Sequence, residues 1–160
     1  MVKLAHNPSL MLKYVLLAGA SVYIVSYLCL VVFRIKYPFT LEWQEGMSLD
    51  QVRRILSGQK LYVSPSIEFA PYNYPPLYFY VSAIVSKLVG EGFFALRLVS
   101  LLSSLGYFWI IFLFVRRETG DIYSGILASG LFAATYYISG AWFDLARICL
   151  LYTSPSPRDS

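Results

Sequence analysis

The sequence predicts an all-α polytopic membrane protein whose first span opens into a large external loop. Three observations lead there. Of 160 residues, 58% are hydrophobic and 14% charged, whereas an ordinary soluble domain carries about a quarter charged residues. The run from Tyr14 to Phe33 is 20 residues without a charge. Two further apolar runs, 99–115 and 122–143, flank a hydrophilic turn, RRETGD at 116–121.

The same totals remove other classes. A net charge of +4 from scattered basic residues gives no stripe for nucleic acid. Cys29 and Cys149 offer neither a disulfide framework nor a metal-ligand spacing. His6 stands alone, so a zinc site is not expected.

In chain order, 14–33 makes a helix of about 30 Å, the thickness of the hydrocarbon core. It is longer than a signal-peptide core of about 7–15 residues, and no small-x-small site follows it closely, so it is expected to be an uncleaved anchor. Lys3 and Lys13 before it and Arg34 and Lys36 after it do not orient it strongly. Arg116 and Arg117, in a short turn, belong on the cytoplasmic side. That places Leu98 and Asp144 outside and, with a cytoplasmic N-terminus, makes 37–97 one external loop.

Within this loop, Ser48 and Gln51 have the spacing of a capping box and Gly58 is a terminator. They predict a helix over 49–57. Leu49, Val52 and Leu56 share one face, as in a helix lying along a membrane surface. Arg53 and Arg54 lie mostly off that face, either solvated among headgroups or holding the phosphate of a lipid substrate. The stretch 75–89 opens at a double proline and contains Ser82, Ser86 and Lys87. As a helix it reaches about 22 Å, short of the hydrocarbon core, and is expected to be interfacial or re-entrant. The alternative is a fourth, short and tilted span, which would move Arg116 and Arg117 outside against the charge rule. Between the two helices, Pro65, Pro71, Pro75 and Pro76 favour extended backbone. Tyr62, Tyr72, Tyr74 and Tyr78 there are either an aromatic belt or the lining of a sugar or polyprenyl site.

EWQEG at 42–46, a helix ending at Gly58, YPPLYFY at 74–80, LRLVS at 96–100 and FDLARI at 143–148 follow one another in this order. The order resembles the GT-C membrane glycosyltransferases, especially the family 39 type that includes protein O-mannosyltransferases and the bacterial aminoarabinose transferases of lipid A. The resemblance covers residues 1–148 and rests on order and spacing rather than on any single motif. It implies a GT-C-like N-terminal transmembrane part, with interfacial helices in its first loop. The implied reaction moves a sugar from a polyprenyl-phosphate donor, with inversion, to an unidentified acceptor. The implied place is the external side of a bacterial inner membrane.

In such a reaction a carboxylate takes the proton of the attacking hydroxyl and an arginine meets the charge on the departing phosphate. By resemblance Glu45, next to Gly46, best matches the catalytic acid, with Glu42 and Asp144 as further candidates. Arg53, Arg54, Arg97, Arg147 and Tyr74 are the implied substrate contacts. The acids stand three apart where relatives frequently have Asp-Glu, and Tyr74 stands where they often have lysine or histidine. Some relatives use a divalent metal, and two carboxylates in five residues are compatible with Mg²⁺ without demanding it.

The last stretch, CLLYTSPSPRDS at 149–160, is a polar tail that resembles a translated sequencing adapter. It is expected to be foreign, and the chain to be an N-terminal part that is inactive alone. A different class of reading is a small non-catalytic membrane scaffold or transporter subunit, in which the acids are solvated loop residues.

Overall fold

A computed structural model describes residues 8–67, 69 and 74–146. Among these the regular structure is helical: α1 (Pro8–Arg34), α2 (Trp43–Leu56), α3 (Leu77–Val89), α4 (Phe93–Thr119) and α5 (Ile122–Ile138). The expectations for His6, Tyr72, Arg147, Cys149 and the tail at 149–160 lie outside the described residues. Among the described residues two helices, α1 and α4, are long and apolar enough to cross a membrane. Each has 27 residues, a rod of about 40 Å, and most of its side chains lie outside any protein core. The chain is an all-α membrane protein. α3 and α5 are shorter apolar helices.

The chain forms two compact units. One comprises the residues through Val32 together with Leu105–Ala141. Its centre is Tyr27, whose ring meets Phe108 edge-on at 5.3 Å and Tyr136 at 5.0 Å. Phe132 extends the cluster by packing on Phe108 at 5.4 Å. Gly130 sits against the backbone of Ala20, so close that a Cβ there would collide with it. Small residues let apolar helices approach where the hydrophobic effect cannot drive them together. Between α4 and α5 the chain turns through Gly120 at φ +70°, and Asp121 then caps α5 by accepting from the N–H groups of Tyr123 and Ser124. α5 ends at Ile138, earlier than the apolar run to 143 predicts. Gly140 (φ +82°) and Ala141 (φ +57°) adopt left-handed backbone that breaks the helix although the side chains stay apolar.

The other unit comprises Phe33–Ser104 and the chain from Trp142 on. Its core joins Leu49 and Val52 of α2, Tyr78, Phe79 and Ala83 of α3, and Ala95, Leu96 and Val99 of α4. The Tyr78 hydroxyl donates to the Leu96 carbonyl at 3.1 Å. α3 buries this face and leaves Leu77, Tyr80, Ile84 and Leu88 exposed.

α2 begins at Trp43, not after Ser48, which lies buried inside the helix. The competing signal is Glu42, whose carboxylate caps the first turn. At its far end α2 closes as the glycine predicts. Gly58 (φ +69°) donates to the Ile55 carbonyl and Gln59 to that of Arg54, the paired bonds of a left-handed C-terminal cap.

Candidate functional site

The segment from Arg34 to Gly46 leaves α1, passes Pro38 and enters α2. Glu42 at its end has extended backbone (φ −150°, ψ 145°) and accepts the Gln44 N–H at 3.0 Å. Three residues on, Glu45 turns back and accepts the Leu41 N–H at 2.8 Å. The arrangement has the residue spacing of a capping box, but the Glu42 side chain caps Gln44 and that of Glu45 reaches the Leu41 N–H, one residue before the N-cap. Both carboxylates sit at the positive end of α2.

Glu45 is fully buried. Arg97, from α4, is buried beside it and grips it bidentately, Nε donating to Oε1 at 2.9 Å and Nη2 to Oε2 at 2.7 Å. The Ala146 N–H donates to Oε1 at 3.0 Å. Each oxygen of Glu45 thus receives two N–H groups. Burial alone would raise the carboxyl pKa; the hydrogen bonds from Arg97, Ala146 and Leu41, with the guanidinium charge, outweigh it and hold Glu45 below the usual carboxylate range.

Arg97 is equally saturated. Nη1 donates to the carbonyls of Arg34 at 3.0 Å and Tyr37 at 2.6 Å, and Nη2 to that of Phe39 at 2.9 Å. With the two bonds to Glu45, all five donors of the guanidinium are used. The Phe93 ring lies 5.3 Å from its centre.

Asp144 is buried as well, and its Oδ1 accepts from Arg34 Nη1 at 3.3 Å. The contacts close a circuit. Arg34 binds Asp144 with its side chain and Arg97 with its carbonyl; Arg97 binds Glu45; Glu45 binds the N–H of Ala146, two residues beyond Asp144. Three of the sequence-predicted residues, Glu45, Arg97 and Asp144, are therefore assembled together. Arg34 joins them and was not among the candidates; its position at the C-terminal turn of an apolar helix is the only local sign of it.

The other candidates lie elsewhere in this unit. Glu42 is half-buried at the cap. Arg53 is exposed, 3.7 Å from Asp50, and with Lys36, Tyr37, Glu91 and Phe93 lines an open cavity of about 330 Å³. Arg54 donates to the Lys60 carbonyl and stacks 4.0 Å from the Phe69 ring centre, fastening the loop to α2. Tyr74 is exposed, and its carbonyl accepts the Tyr62 hydroxyl at 2.6 Å.

A divalent cation fits Glu45 poorly, since both oxygens are occupied by N–H donors and a guanidinium lies against them. Among the described residues no three His, Cys, Asp or Glu side chains gather into a metal-sized group.

Residues 73–151 match the family model of dolichyl-phosphate-mannose-protein mannosyltransferases, just under half of the chain. The match includes α3, α4, α5, Arg97 and Asp144, and excludes Glu42 and Glu45. It supports a membrane glycosyltransferase of the GT-C type. No curated protein and no solved structure matches the chain.

Proposed function

We propose that these residues are the N-terminal part of a polytopic GT-C glycosyltransferase that moves a sugar from a polyprenyl-phosphate donor to an acceptor hydroxyl. The reaction takes place at the external face of a bacterial inner membrane, with α1 and α4 as spans and 37–97 outside. One observation carries the reading. Arg97 and Ala146, both inside the matched segment, grip Glu45 of the EWQEG motif outside it. This contact supports reading the acidic motif and the matched segment as one site.

Among the acids, Glu42 is the general base. A base needs a lone pair that a substrate hydroxyl can reach. Glu45 has its oxygens filled and its carboxyl acidified, and Asp144 is buried against Arg34. Glu42 is the one whose side chain is only half-buried. In the reaction the acceptor oxygen bonds to the anomeric carbon as the bond from that carbon to the phosphate oxygen breaks. The hydroxyl proton passes to Glu42, and the lipid phosphate departs with the bonding pair. Arg97 has no donor left for that phosphate, whereas Arg53 and Lys36 line an open cavity and are the cations assigned to it. Arg34 holds Asp144 in the same cluster, and Arg54 and Tyr74 fasten the loop that follows α2.

The complete occupation of Glu45 also suits a non-catalytic membrane scaffold, with a purely structural ion pair. Incubating the purified full-length protein with labelled polyprenyl-phosphate sugars and membrane acceptors separates the two. Transfer of label supports the enzyme; its absence with every donor, from a folded protein, supports the scaffold.

A further inference from the structure

We infer that Arg97 and Glu45 are positioning residues that fix Glu42 for catalysis, an inference that rests on Glu42 being the base. The two side chains hold the chain ahead of Glu42, and the backbone of Glu45 holds it behind. On the approach, Arg97 binds the carbonyls of Tyr37 and Phe39, and Glu45 binds the N–H of Leu41. Backbone groups of residues 37, 39 and 41 are therefore all bound by the ion pair, along a segment that bends at 38–39 and again at 41–42. On the far side, the Glu45 N–H donates to the Glu42 carbonyl at 3.1 Å.

Glu42 has a peptide tether immediately before it and another on its own carbonyl, both made by Glu45. Glu45 is in turn locked by Arg97 through a fork that a lysine cannot reproduce. Release of Arg97 leaves a buried carboxylate uncompensated. The carboxylate then protonates or rotates, the Leu41 N–H loses its acceptor, and the cap that orients Glu42 loosens. A displacement of about 1 Å at a reacting group lowers turnover by about 10²-fold.

The test is a double-substitution cycle on sugar transfer in the full-length protein, comparing wild type, Arg97→Lys, Glu42→Gln and the pair. Arg97→Lys is expected to lower kcat by about 10²-fold, with the donor KM changed less than about threefold. In the Glu42→Gln background it should add no further loss, because positioning acts only through the base. A multiplicative loss on that background means that Arg97 acts by another route, and overturns the inference while leaving Glu42 in place. Full turnover by Glu42→Gln alone removes the base assignment instead. Should Arg97→Lys fail to insert, Leu41→Pro deletes the single N–H tether with the ion pair intact, and is expected to show the same non-additivity. Misfolding of both variants makes the pair structural only, and also overturns the inference.

Discussion

Glu45 Oε2 accepts from Arg97 Nη2 at 2.7 Å and from the Leu41 N–H at 2.8 Å, so one carboxylate oxygen joins α4 to the start of α2. The other oxygen joins Arg97 to the Ala146 N–H. Buried ion pairs contribute little over well-packed apolar residues, but removal of one partner leaves an uncompensated charge.

Arg97→Met should therefore destabilise the protein by about 3–5 kcal/mol. Glu45→Leu/Arg97→Met together should cost less than Arg97→Met alone. Chemical denaturation in detergent checks the ordering.

The acidified Glu45 carboxyl gives a pH dependence with a definite sign. Its folded pKa lies below the ordinary value of 4.5, so the unfolded state binds the proton more readily. The stabilisation is complete above about pH 4.5 and is lost as pH falls through the lower, folded value. Melting temperatures of wild type should fall more steeply below pH 4.5 than those of Glu45→Gln. Parallel curves would contradict this.

Gly58 closes α2 at φ +69°, with open space where a Cβ would stand. Gly58→Ala should cost about 1 kcal/mol from backbone strain alone, measured as a shift in the denaturation midpoint.

Gly130→Val adds atoms where the Ala20 backbone already lies in contact. Loss of about 1–3 kcal/mol follows for an overpacked contact between rigid helices. Thermal unfolding of the variant in detergent reads it, and an unchanged midpoint would mean that the two helices separate freely.

If 37–97 is external as proposed, cysteines at Ser66 and Glu118 should react with an impermeant thiol reagent from opposite sides of the membrane, in a background where Cys29 and Cys149 are serine. Labelling of both from one side would refute the layout.

Local features of the fold were legible in the sequence. The uncharged run 14–33 lies within α1, and Gly58 ends α2, because both depend on neighbouring residues. The start of α2 was hidden by two competing three-residue spacings, Ser48 to Gln51 and Glu42 to Glu45. The second prevails because Arg97 and Ala146 complete it. α5 stops at a left-handed turn that includes Ala141, a residue whose type gives no warning of it. In the site, the acidic motif, Arg97 and Asp144 could be singled out by type and order. Their mutual roles could not, since the Glu45 oxygens draw donors from as far as Ala146, 101 residues away. Arg34 was invisible for the same reason, its partner Asp144 lying 110 residues on.

The most direct measurement is the turnover of Glu42→Gln in sugar transfer by the full-length protein. The amide keeps an oxygen for the Gln44 N–H and so preserves the cap, yet takes no proton at neutral pH. If Glu42 is the base, kcat falls by about 10²–10⁴-fold, with insertion, stability and donor KM retained. Turnover within about twofold of wild type, in a folded protein, contradicts it.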